Sequence, residues 1–336
     1  MYRRKSVAVT LVFLSLISHD LIAEQSDDAA LIQHRSQHIY NTVFGLPAVA
    51  SRPVQTREWQ VSLEHSNQFM GGVADDERLL IDGETSELVV RHRQRLGACV
   101  QLEVTFPFIQ HSEGSFDDTI DDWHKVFGLP DAQRDTSPFF SLNYSYESAD
   151  GVAPDVDRPQ SGIGDVQLAI QRSLGCRATS DATAAEPIVR FGVKLPTGSV
   201  SELRGSGEFD LFVDYQSPVL TFGNRWKSGA AIGLLYVGDS PRFARQNTIV
   251  SYGTLGVQFV LSNRWRLLAQ LDLHTPFYNS NLRELGDPAV SMSGGVRFLG
   301  PADQSIELTI SEDAAIDTTP DIVARLAWTY RPPAGR

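Results

Sequence analysis

Cysteine is nearly absent from this sequence: Cys99 and Cys176 stand alone, too far apart for the close pairs that hold a metal. Long hydrophobic runs are scarcer still. The one clear run, Val7–Ile17, covers 11 residues, whereas a helix crossing a bilayer needs about 20. No part of the chain is therefore expected to cross a membrane as a helix. Basic residues are in the minority, 29 Lys and Arg against 41 Asp and Glu. Such an acidic balance argues against a nucleic-acid partner. No motif asks for a cofactor.

What is present begins with an export signal. Arg3, Arg4 and Lys5 precede the Val7–Ile17 run, and a short stretch then leads to Ala23, the expected cleavage point of a signal peptide over residues 1–23. Its loss leaves 26 basic residues against 40 acidic ones. Residues 24–56 are expected as a periplasmic N-terminal segment, in which 29–43 has the composition of a short helix that could tuck into a lumen.

From Glu58 onward, short segments alternate apolar with polar residues, the period of a strand whose two faces meet different surroundings. Val100, Leu102, Val104, Phe106 and Phe108 alternate with Gln101, Glu103 and Thr105; Trp265, Leu267, Ala269, Leu271 and Leu273 alternate with Arg266, Gln270 and Asp272. The pattern predicts about 12 strands, near 58–69, 78–95, 99–110, 162–174, 187–196, 207–220, 226–237, 248–261, 264–275, 288–299, 304–311 and 320–331. An even number of strands about ten residues long is what a bacterial membrane barrel uses. Connections alternate between very short ones and longer polar ones at 70–77, 111–161, 197–206, 238–247 and 276–287, an asymmetry that places short turns and both termini in the periplasm. A soluble sandwich would also alternate, but its polar face would be mostly charged residues and Thr. Here several polar-face positions are Gly, Ala or Ser, as a crowded interior requires. The expected fold is all-β: an antiparallel transmembrane β-barrel over 57–331, with a tail at 332–336. Aromatic residues near strand ends, among them Trp226, Trp265, Phe298, Trp328 and Tyr330, suit interfacial girdles.

The chain also resembles a family of proteobacterial outer-membrane proteins, the domain of unknown function family numbered 3187, from about Phe44 to Tyr330. The residues that carry the resemblance are Leu80-Ile-Asp-Gly-Glu-Thr85, Phe116-Asp-Asp-Thr-Ile-Asp-Asp-Trp-His-Lys-Val-Phe-Gly-Leu-Pro130, Ser161-Gly-Ile-Gly-Asp165, Val193-Lys-Leu-Pro-Thr-Gly198, Gly205-Ser-Gly207 and Glu312-Asp313. The resemblance implies a barrel in the outer membrane of a Gram-negative bacterium. It implies no particular activity and carries over no functional residue.

Within the longest connection, Phe116, Ile120, Trp123 and Phe127 recur at helical spacing opposite Asp117, Asp118, Asp121 and Asp122, so a short amphipathic helix is expected in an extracellular loop. The aspartates do not have the spacing of a calcium loop. His65-Ser66-Asn67 brings to mind a membrane-embedded lipid hydrolase, but adjacent residues of a strand point to opposite faces, so His65 cannot activate Ser66. The chain is therefore not expected to be an enzyme. Cys99 and Cys176 bracket two strands that run in opposite directions, which makes a disulfide plausible in an oxidising compartment.

The leading functional expectation is passage of small solutes through a wet lumen lined by Glu208, Asp210, Asp214, Arg266, Asp272, Arg297 and Arg325. The alternative is a structural or interaction protein whose loops engage lipopolysaccharide or a partner. Outer-membrane lipids and the barrel-assembly machinery are the partners such a protein would meet.

Overall fold

The alternation of the sequence becomes a closed wall. The structure, a computed structural model, describes residues 30–49, 53–114, 141–176, 186–314 and 318–332. Twelve strands form the ring, all antiparallel. They are β1 (Arg57–Ala74), β2 (Glu77–Arg95), β3 (Val100–Ser112), β7 (Val166–Ser173), β8 (Ile188–Leu195), β9 (Asp210–Gln216), β11 (Trp226–Tyr236), β12 (Ile249–Val260), β13 (Trp265–His274), β14 (Ala289–Leu299), β15 (Gln304–Asp313) and β16 (Ile322–Tyr330). Each pairs with its neighbour in this order, and β1 closes on β16 in a register running from Trp59–Tyr330 to Asn67–Ile322. Closure leaves no free edge in the ring, which is what a sheet needs to sit in lipid.

The wall is inside out relative to a soluble protein. Leu63, Leu88, Phe191, Ile232, Leu255 and Leu308 are exposed on the outer face. The alternate positions, among them Glu64, Glu87, Arg190 and Asp214, are buried in the lumen. Girdle aromatics face out near the short-turn end, where Trp226 packs on Phe259 and Trp265 on Phe298 with ring centroids 4.8 and 4.9 Å apart.

Four accessory strands, β4 (Asn143–Ser148), β5 (Gly151–Val152), β6 (Gln160–Ile163) and β10 (Leu220–Phe222), lie outside the ring order. Residues 70–77, expected as a loop, are instead the far ends of β1 and β2 joined by Asp75 and Asp76. Asp75 takes a φ of 48°, a turn conformation that aspartate tolerates. This hairpin projects at the long-loop end, where β4 pairs with β2 from Asp82–Asn143 to Arg78–Glu147. The extra strand around 143–148 therefore extends the sheet without adding a pass to the barrel. At the opposite end, Cys99 and Cys176 are joined in a disulfide with Cα atoms 5.5 Å apart. The expected helix carrying Phe116, Ile120, Trp123 and Phe127, the signal peptide and the last four residues lie outside the described residues.

Candidate functional site: an occupied lumen

The segment expected in the periplasm is inside the barrel. Residues 30–49 are almost wholly buried, and their one short helix is Ile39–Thr42 rather than a helix over 29–43. The segment forms a finger with two limbs. Its rising limb starts near the short-turn end, where Arg297 Nη2 donates to the Leu31 carbonyl (3.3 Å) and Gln270 bonds both the N–H and the C=O of Ile32 (2.7 and 2.9 Å). Its tip reaches the long-loop end, where the Ile39 N–H donates to Gln68 (3.0 Å) and the Tyr278 hydroxyl donates to the Tyr40 carbonyl (3.0 Å). The falling limb passes Lys194, which donates to the Val43 carbonyl (3.1 Å), and Asp210, which accepts from the Gly45 N–H (2.8 Å). It then passes Arg190, which donates to the Ala48 carbonyl (2.9 Å), and reaches Gln101, which accepts from the Val54 N–H (2.8 Å). Both limbs end at the short-turn end, and the finger's backbone bonds to side chains of the wall where it lacks a ladder of its own.

Finger and wall each carry a glycine where they lie closest, Gly45 on the finger and Gly256 on the wall. A Cβ on Gly256 would stand 2.7 Å from Leu31 Cδ2 and 2.8 Å from the Ala30 carbonyl oxygen, and one on Gly45 would stand 2.9 Å from Lys194 Cβ. Under about 3 Å neither is tolerated without a shift. The tip is held by aromatic packing. Phe44 stacks on Phe277 with centroids 5.3 Å apart and meets Phe243 edge-on at 5.6 Å, while Tyr40 meets Tyr146 edge-on at 6.0 Å. These rings belong to an apolar cluster with Met70, Leu79, Ile81, Tyr144 and Val156 that closes the long-loop end.

Around the finger the lumen wall is a set of charge chains. In one, Arg93 bonds Glu58 (2.9 Å) and Glu103 (2.7 Å), while Arg190 bonds Glu103 (3.3 Å) and Asp214 (2.8 Å). In another, Arg325 bonds Glu64 (3.2 Å) and Glu307 (2.6 Å), and Arg297 donates to Glu307 (2.7 Å). Lys194 lies between Asp165 (2.7 Å) and Asp210 (3.0 Å). Buried charges persist only when paired in this way. Small voids lie beside the finger, one against His34, Asp272 and His274 and another against Arg35, Glu64 and Glu87. Each has a cavity volume of about 20 Å³, room for roughly one water.

Of the seven residues expected to line the lumen, Asp210, Asp214, Arg297 and Arg325 are buried inside it, and Asp272 reaches it half-buried, accepting from Thr254 and Gln270. Glu208 precedes β9 at the long-loop rim, and Arg266 donates to the Trp265 carbonyl at the short-turn rim. Sequence reasoning missed Arg93, Glu103, Arg190 and Lys194, although each sits on the polar side of a strand whose alternation was plain. His65 meets Ser86 across the β1–β2 pair (Nδ1 to Oγ 2.9 Å), while Ser66 donates to the Thr85 carbonyl. The main-chain N–H groups around Ser86 are engaged in a sheet with strands on both sides, so they offer no oxyanion hole. Outside the membrane-spanning part, Arg245 joins the projecting hairpin to the other loops through Asp76 (2.6 Å), Glu77 (3.3 Å) and Asp150 (2.5 Å). Its hydrogen bond holds the Asp76 carboxyl below the usual carboxylate range.

A closed antiparallel ring with an apolar outside and a charged, filled inside defines the chain as an outer-membrane-type β-barrel with an internal plug. The chain belongs to the family described as Protein of unknown function (DUF3187), whose model matches residues 11–331. Its fold is similar to that of an outer membrane channel from Pseudomonas putida F1, with a TM-score of 0.55 and 14% identity, covering 85% of this chain and 99% of that one. A toluene transporter from P. putida, TodX, is more distant, with a TM-score of 0.38 and 10% identity over 83% of this chain and 91% of that one. No curated protein matches the sequence.

Proposed function

We propose that the protein is a non-enzymatic channel for small polar solutes in the outer membrane, held closed by its N-terminal finger. The observation that carries this reading is the make-up of the lumen. Its wall is charged and for the most part paired within itself, while what fills it is a separate segment that takes no part in the strand ladder. A barrel meant only as a solid post could fill itself with wall side chains. In this reading the signal peptide is removed after Ala23, the short-turn end faces the periplasm, and the finger is drawn out towards that side. The projecting β1–β2–β4 sheet favours a second reading, in which the loops bind lipopolysaccharide or a protein.

Planar-bilayer recording of the mature chain tests the channel. Wild type should be mostly silent with rare brief openings, and Gly256→Val, whose side chain collides with Ala30 and Leu31, should open at least tenfold more often in discrete steps. Silence from a folded Gly256→Val barrel would rule out the channel and leave the loops as the functional surface.

A further inference from the structure

Glu64 and Glu87 stand directly opposite each other on β1 and β2, and both point into the lumen with 6% and 2% exposure. Like charges facing across a ladder repel, and burial strengthens the repulsion. The two are compensated differently. Glu64 is bonded by Arg325 of the wall (3.2 Å). Among the described residues the side-chain bonds to Glu87 come from the finger: Arg35 Nη2 donates to it at 2.6 Å and Gln37 Nε2 at 3.3 Å, and Gln37 also donates to Glu64 at 2.9 Å. The void lined by Glu64, Glu87, Thr105, Asp165 and Gln167 lies against Arg35. Among the described residues Glu87 is therefore a buried carboxylate to which the wall supplies no cation, placed midway along the lumen and met by a guanidinium from the segment that fills it.

We propose that Glu87, with Glu64 beside it, is a recognition site for small solutes bearing a guanidinium or primary ammonium group, and that Arg35 is its built-in occupant. The proposal rests on the channel reading and names its substrate class. When the finger leaves, Glu87 loses both partners while Glu64 keeps Arg325, so the seat presents one uncompensated negative charge. A monovalent cation matches that charge. A divalent metal would be poorly served by it, and an anion would be repelled. The neighbouring Arg91 does not supply the missing partner, since it donates to Gln60 (2.9 Å), to Gln33 and to Thr105 (3.3 Å) and lies 3.8 Å from Glu103. Two carboxylates on adjacent strands suit a planar, forked donor better than a spherical ion. The finger thus works as an intramolecular competitor for the solute.

Chemical rescue tests this. Arg35→Ala in the full mature chain should leave the seat empty, and methylguanidinium should then bind, by calorimetry on the protein in detergent, at least tenfold more tightly than tetramethylammonium. Wild type, with the seat filled, should bind it at least tenfold more weakly, and Glu87→Gln added to Arg35→Ala should remove the preference. Arg35→Gln, which keeps a polar side chain in place, should behave as Arg35→Ala does and guards against a folding defect in the latter. Equal affinity for the two cations in both Arg35 variants would overturn the proposal. The channel reading stands or falls separately, on conductance. Selective binding without current in Arg35→Ala or Gly256→Val would uphold the cation seat and refute passage, whereas current without selective binding would do the reverse.

Discussion

Phe44→Ala should release the finger without dismantling the barrel. Phe44 is fully buried, stacked on Phe277 and edge-on to Phe243, and it belongs to a segment outside the strand ladder. Truncating a buried Phe to Ala costs about 3–5 kcal/mol. The cost falls on the docked state, because in the undocked state the ring is in water and its loss matters little. At about 1.4 kcal/mol per tenfold change, the lower figure alone raises the undocked population on the order of a hundredfold. Ser36, 6% exposed on the rising limb, offers a reporter. Because Cys99 and Cys176 are bonded to each other, Ser36→Cys would be the single free thiol, and its labelling by a water-soluble reagent would track the undocked population. The expected result is labelling about a hundred times faster in Ser36→Cys/Phe44→Ala than in Ser36→Cys, with unchanged heat-dependent gel mobility. An unchanged labelling rate would refute the idea that aromatic packing at the tip holds the finger. Faster labelling together with a collapsed barrel would show that finger and wall fold as one unit.

Two other consequences follow from named contacts. The Cys99–Cys176 bridge spans 77 positions, so its removal by a double Cys→Ala change should lower stability by roughly 4 kcal/mol on the chain-entropy account. An unchanged urea midpoint for the refolded barrel would contradict that. At the opposite end, Asp76 has a depressed folded-state pKa because Arg245 hydrogen-bonds its ionised form. Its contribution is therefore present above the unfolded carboxylate value and lost as the pH falls through the lower folded one. Protease resistance of the Asp75–Asp76 turn should drop across that acidic window in wild type, and Asp76→Asn should show the weaker resistance already at neutral pH.

The wall was legible in the sequence because a strand with one face in lipid and one in a crowded lumen must alternate at every residue, as Trp265 to Leu273 do. Boundaries shifted mainly where alternation continues past the membrane, as in the hairpin around Asp75 that reads as a polar loop. The lumen was legible in part. Asp210, Asp214, Arg297 and Arg325 are buried in the lumen and were found by their phase, whereas Glu208 lies ahead of β9 and Arg266 bends back onto the turn at Ser262 and Trp265, where phase no longer fixes direction. The finger was the least legible element. Apart from one helical turn its backbone is irregular and takes no part in a ladder, so it has no period, and its partners lie far away in sequence, Gln270 being 238 positions from Ile32. Such contacts leave no local signature. A carboxylate such as Glu87, whose cation comes from the finger and not from the wall, can be recognised only once its neighbours in space are known.

Because both limbs of the finger end at the same mouth of the barrel, it is a bight of chain laid into the lumen, like a rope pushed into a bottle by its middle. No free end has to be threaded through the ring. β1 and β16 can therefore close before the finger arrives, and the finger can come out without opening any strand pair. A pull on the chain ahead of Ala30 would load the bonds at Leu31 and Ile32 first and those of Ala48 to Arg190 and of Val54 to Gln101 last. The limb would peel in sequence, and the tether to β1 at Arg57 would hold the released chain within reach for the next closure.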